Sequence, residues 1–180
     1  MKLVKKLRIK INEKCKEYLE FASERCRLLY NFALAEKIEH YKKTGQFLNT
    51  YEQKKQLPSL KKKYPEYAKV YNKCLSAMYF RLDRAYKAFF SKYNKFPKFK
   101  RKGRFISQEY PGVYIKVIDK HRFILPTGKG YPNFVCRTFE KIPEKFSTVV
   151  IQKNRNHYFA CFVVNEQESE PSKNNGVLAI

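Results

Sequence analysis

The hydrophobic period of this chain changes twice, and those changes limit its fold more than any other feature. Residues 2–11 (KLVKKLRIKI) set Leu7, Ile9 and Ile11 against Lys6, Arg8 and Lys10. Such alternation marks a strand with one apolar and one cationic face. Asn12 then offers a helix cap, and the period becomes helical. Ile11, Cys15, Tyr18, Ala22, Cys26, Leu29 and Ala33 form one stripe of a long helix ending near Thr44 and Gly45. A shorter helix is expected over 51–63, entered after Asn49 and Thr50 and imperfect around Pro58. Pro65 opens the next, where Tyr67, Tyr71, Cys74, Met78, Leu82, Ala85 and Phe89 repeat the spacing. After Gly103 the texture becomes short strands, expected at 104–110, 113–118, 122–125, 134–139, 148–152 and 158–164. Turn signals separate them, among them Pro111-Gly112, Gly128-Lys129-Gly130 and Asn154-Arg155-Asn156.

A lone strand is unstable, so the first must find its partners among the later ones. The expected fold is therefore α+β: a small β-barrel formed by 1–11 and 96–165, with a helical domain (12–95) inserted after the first strand. Residues 166–172 (EQESEPS) read as a linker, and Val177 to Ile180 as the start of another buried strand. The 166–180 segment is thus expected to lead into a further domain.

Charge narrows the function. Lysine and arginine number 39 against 16 acidic residues, a net charge of +23. That exceeds what solubility requires, and its self-repulsion points to a polyanionic partner. No apolar run reaches the roughly 20 residues of a membrane span, and no signal peptide is visible, which leaves nucleic acid in a cytoplasm. The excess is concentrated. Between Arg84 and Gln108 there is no acidic residue but nine basic ones: Arg84, Lys87, Lys92, Lys95, Lys98, Lys100, Arg101, Lys102 and Arg104. Phe89, Phe90, Tyr93, Phe96 and Phe99 are interleaved with them. Solvated faces mix both signs, whereas cations mixed with rings suit phosphates and bases. Arg81 extends this set at its front. Lys6, Arg8 and Lys10 either grip RNA or guard an exposed sheet edge.

Chemistry of other kinds is scarce. The cysteines, at 15, 26, 74, 136 and 161, are odd in number with no C-x-x-C knuckle, and read as reduced and structural. His40, His121 and His157 lie far apart without metal spacing, and Asp83 and Asp119 are the only aspartates. Asp83 is expected to pair with neighbours on its helix. No carboxylate cluster for a two-metal nuclease can be assembled, so neither catalytic nor metal-binding residues are assigned.

Several segments carry a resemblance. Arg27-Leu28-Leu29-Tyr30-Asn31-Phe32-Ala33-Leu34 resembles the R-x-x-YNWAL segment of transposon-encoded TnpB proteins, also filed as OrfB transposases. Residues 81–90 (RLDRAYKAFF) are similar to that family's "LdkAfkaFF" helix. Phe96-Pro97-Lys98-Phe99-Lys100 is similar to its "FPrFK" signature, and Phe123-Ile124-Leu125-Pro126 to its "rLPk" strand. The resemblance implies an RNA-guided DNA endonuclease related to the type V CRISPR effectors, whose front part is a wedge-type barrel with a helical recognition domain inserted. It also implies structured guide RNA and target double-stranded DNA as partners. Arg81, Arg84, Lys87, Lys92, Lys95, Lys98, Lys100, Arg101, Lys102 and Arg104 would then hold phosphates. Tyr71, Asn72, Lys73, Ser76, Ser107 and Gln108 would stand near the DNA motif flanking the target, although Tyr71 also lies on the core stripe.

The family's RuvC-like aspartate, which follows a lead-in similar to residues 175–180, is absent from this chain, as are zinc-ribbon cysteines. Divalent metal and zinc are expected only in a C-terminal part beyond it, and this chain by itself is expected to be inactive. Phe32 stands where the family has tryptophan, at a position expected to be packed. A guide-independent basic RNA- or DNA-binding module remains the alternative.

Overall fold

Asn12 fixes the point where strand gives way to helix: its side-chain oxygen accepts the Cys15 N–H at 2.8 Å. The computed structural model describes residues 2–103 and 107–165. Strand β1 covers Lys2–Lys10, and helix α1 runs Glu13–Thr44. The helix closes at Gly45, whose φ of 69° lets its N–H reach the Tyr41 carbonyl at 2.8 Å.

The expected 51–63 helix is two, α2 (Thr50–Lys55) and α3 (Leu57–Lys63). Asn49 caps the first, and Pro58 sits in the opening turn of the second, where its missing N–H costs nothing. The following helix is also divided. A 3-10 turn covers Pro65–Lys69, Val70 and Tyr71 are extended with ψ of 140° and 125°, and α4 runs Asn72–Phe90. Tertiary partners claim the backbone at this break. Tyr71 N–H donates to the Tyr18 hydroxyl at 3.3 Å, and the Ala68 carbonyl accepts from Lys129 N–H at 2.9 Å.

The remaining strands are β2 (Ser107–Pro111), β3 (Lys116–Asp119), β4 (Arg122–Leu125), β5 (Phe134–Thr138), β6 (Thr148–Asn154) and β7 (His157–Asn165). A strand expected over 113–118 is replaced by a 3-10 turn at Gly112–Tyr114 followed by β3. The expected strand at 104–110 begins on residues outside those described. So do the 166–172 linker and the apolar run at 177–180. All pairings are antiparallel in a seven-stranded sheet ordered β2-β6-β7-β1-β5-β4-β3. The first strand lies between β7 and β5, pairing Leu7 with Ala160 and Ile9 with both Tyr158 and Thr138.

Leu7 and Ile9 point inward while Lys6, Arg8 and Lys10 are exposed, as alternation requires. A single hydrophobic cluster joins helices and sheet, including Leu7, Tyr18, Leu82, Tyr110, Phe123 and Phe162. Tyr18 of α1 meets Tyr131 and Phe134 with ring centroids 4.9 and 5.8 Å away. At 32 residues α1 is about 48 Å long, so its first half rests on the sheet and its second half on α2 and α4. All five cysteines are free and buried, and burial pushes the Cys26 thiol up to about 12.

Candidate nucleic-acid interface

Past α4 the basic connector does not hang free; it is bound to α1. Lys92 turns the chain with a left-handed φ of 60°, and the Tyr93 and Asn94 N–H groups donate back to the Ala88 carbonyl at 2.9 and 3.1 Å. Phe96 then wedges between Tyr86 and Phe89, at 5.5 and 5.3 Å, and Pro97 is buried. At Lys100 the Asn31 side chain holds both the N–H and the carbonyl of the backbone. Lys100 N–H donates to Asn31 Oδ1 at 2.8 Å, and Asn31 Nδ2 donates to the Lys100 carbonyl at 3.0 Å. Arg27 Nη1 donates to the same carbonyl at 2.9 Å, while Glu24 accepts from its Nε and Nη2 at 2.8 and 2.7 Å. Those Arg27 hydrogen bonds hold the Glu24 carboxyl below its usual range against the opposing effect of burial, and Arg27 and Lys102 add their charges. The Lys100 ammonium stands 5.2 Å from the Tyr30 ring.

The clamp uses backbone groups and leaves side chains to solvent. Lys92, Lys95, Lys98, Arg101 and Lys102 are all exposed. Among the described residues, Lys92, Lys95, Lys98 and Arg101 have no ion-pair partner. A run of cations on a braced backbone can neutralise successive phosphates without first ordering a loop.

The front of the expected basic set behaves differently. Arg81 turns inward, donating to Ser107 Oγ at 3.1 Å and standing 3.8 Å from the Glu109 carboxylate. Burial holds its pKa below the usual arginine value. Arg84 bonds the same Glu109 carboxylate at 2.7 Å, and Lys87 pairs with Asp83 at 2.9 Å. Arg104 lies outside the described residues. On β1, Lys6 lies over the Phe159 ring at 4.4 Å. Arg8 lies 5.3 Å from the Phe139 ring and 3.0 Å from His157 Nδ1. Lys10 joins His121 and Arg137 around a hollow of about 300 Å³.

The residues expected near a DNA motif do not share one surface. Tyr71, half-buried, stacks on Tyr110 at 5.9 Å and meets Tyr114 edge-on at 6.3 Å. Lys73 sits 4.8 Å from the Tyr114 ring, and Asn72 accepts from the Lys61 ammonium at 2.7 Å. Ser76 and Gln108, by contrast, are interior, at 7% and 1% exposure. Gln108 falls on the core face of β2, donating to the Leu19 carbonyl at 2.8 Å and Ser23 Oγ at 3.0 Å and accepting the Tyr110 hydroxyl at 2.6 Å. Its amide is spent inside the protein. Ser107 accepts from Arg81.

Arg27 and Asn31 carry a part that the sequence did not assign to them, although both lie in the segment that resembles R-x-x-YNWAL. Their i, i+4 spacing on one helix face was the available signal. Phe32 departs in the other direction: expected to be packed, it is half exposed, lining a groove with α3.

Residues 1–46 match the helix-turn-helix domain family of the OrfB/IS605 type. No curated protein matches the chain. The match covers about a quarter of the chain and supports a transposase-associated, DNA-binding type of N-terminal region. Its described residues nevertheless form one strand and one unbroken helix up to the Gly45 cap, with no turn between two helices. Among the described residues, no helix is long and apolar enough to cross a membrane.

Proposed function

We propose that this chain is the guide-RNA- and target-DNA-binding portion of a TnpB-like RNA-guided DNA endonuclease. The observation that carries the reading is the clamp of Arg27 and Asn31 on Lys100. It couples two of the segments that resemble TnpB proteins, R-x-x-YNWAL and FPrFK, into one physical unit. The OrfB/IS605 match at the N-terminus supports the same reading. In such a protein, base pairing with the guide reads sequence while side chains hold the backbone. Lys92, Lys95, Lys98, Arg101 and Lys102 take the phosphate role here, with Arg84 and Lys87 joining if their carboxylate partners yield. This chain holds the RNA and the DNA paired with it.

Two measurements test this. Nucleic acid that copurifies at low salt is sequenced: one discrete noncoding RNA is expected, and a smear of bulk cellular RNA would instead establish a guide-independent basic module. Separately, replacing Lys95, Lys98 and Arg101 together by alanine is expected to reduce the slope of log affinity against log salt by about 2–3, each lost phosphate contact being worth roughly 0.7–0.9. An unchanged slope would remove the connector from the interface.

A further inference from the structure

A second feature lies at the far end of the helices, where α1, α2 and α4 meet. A hollow of about 500 Å³ opens there, within the range of small-ligand sites. Its walls are rings: Phe47 and Phe90 in edge contact at 4.9 Å on one side, Tyr51 and Phe80 at 5.5 Å on the other. Phe47, Tyr51 and Phe90 are 58%, 64% and 52% exposed, so each keeps free ring surface. The floor is polar. Lys37, only 8% exposed, donates to the Leu48 carbonyl and, at 3.3 Å, to Thr50 Oγ1. Thr50 in turn donates to Asp83 Oδ1 at 3.0 Å.

Asp83 is thus presented as an acceptor. Burial works to raise its pKa, but hydrogen bonds from Lys87 and Thr50, with the charges of Lys87 and Lys37, hold it below the usual value. It stays ionised at neutral pH and offers only acceptor oxygens. The Lys37 ammonium carries three protons, two of which meet the acceptors named among the described residues. Lys87 stands at the rim, and Lys54 lies 5.3 Å from the Phe80 ring. The Phe90 ring continues through Phe89 and Tyr86 into Phe96 of the basic connector.

We propose that this hollow takes a single unpaired nucleobase bearing an exocyclic amine, from the strand whose phosphates the connector holds. Rings stack on the base, Asp83 accepts from its amine, and Lys37 donates to a ring nitrogen or carbonyl. A second copy of this chain is the poorer occupant, because two molecules of net charge +23 repel one another. The inference rests on the nucleic-acid reading above.

The test uses the full chain at low salt and three labelled strands of equal length: oligoadenylate, oligouridylate and an abasic backbone with the same phosphates. Oligoadenylate is expected to bind at least about fivefold more tightly than the abasic strand, the least that one stacked base contributes. Tyr51→Ala should bring its affinity down toward the abasic value. Asp83→Asn, which replaces an acceptor oxygen by a donor, should narrow the preference for adenine over uracil while a base-dependent advantage persists. Equal binding of all three strands, or a gap that survives Tyr51→Ala, would overturn the pocket and leave the phosphate contacts standing. Failure to bind any strand would overturn the nucleic-acid reading beneath it. Self-association lost in Tyr51→Ala with the base preference intact would give the hollow to a second copy and overturn the proposal.

Discussion

Asn31 and Lys98 lie near the same connector and do opposite kinds of work. Asn31 uses its amide as a second backbone, accepting from the Lys100 N–H and donating to the Lys100 carbonyl. Asn31→Ala leaves a part-buried N–H without its acceptor, and is expected to cost about 1–2 kcal/mol in urea unfolding. Tryptic cleavage after Lys95 and Lys98 should accelerate in the same variant as the connector loosens. Lys98→Ala touches no partner among the described residues, and its stability should stay within about 0.5 kcal/mol of the parent while nucleic-acid affinity drops. Glu24 supplies the pH dependence of this clamp. Its folded pKa lies below its unfolded value, chiefly through the Arg27 hydrogen bonds, so its stabilisation is present above the unfolded value and is lost as pH falls through the folded one. Urea midpoints are expected to decline below about pH 4, with a shallower decline in Glu24→Gln.

At the scale of elements, two glycines separate local from tertiary constraint. Gly45 closes α1 in the left-handed region with nothing within 4 Å of an added methyl group. Gly45→Ala therefore meets only the backbone penalty, about 1 kcal/mol. Gly128, in the loop joining β4 to β5, has no unusual φ but lies against the extended residues before α4. A methyl there would stand 2.2 Å from the Lys69 carbonyl carbon and 2.6 Å from Val70 N. Backbone cannot swing aside as a side chain can, so Gly128→Ala is expected to lose about 3 kcal/mol or more, clearly the larger effect in paired urea titrations. The same contact explains why α4 begins where it does. Apolar spacing runs unbroken from Tyr67 to Phe89, yet the Ala68 carbonyl accepts from Lys129 and the Tyr71 N–H donates to Tyr18, and the helix is interrupted between them.

For the molecule as a whole, an excess of 23 positive charges on 180 residues opposes folding until anions screen it. The thermal midpoint is expected to rise as salt increases from about 20 to 300 mM, and to rise further with bound polyanion by mass action. A midpoint indifferent to both would mean that the charge is already neutralised within the fold.

The chain alone determined its periodic elements: a first strand over 2–11, ending one residue earlier in the fold, the Asn12 and Gly45 caps, the stripe from Ile11 to Ala33, and the density of cations after α4. Each is set by residues a few positions apart, which is the range over which spacing and capping act. It could not distinguish Arg81 from Lys98, because what separates them is Glu109 and Ser107 arriving from another strand. Nor could it place Gln108 inside, since that depends on α1 bringing Ser23 and the Leu19 carbonyl to β2. Tertiary structure decided those matters, together with the clamp of Asn31 on a residue 69 positions away and the ring-walled hollow floored by Lys37 and Asp83. A cation is available to a ligand only when no carboxylate has claimed it, and that is settled by packing over distances no local pattern spans.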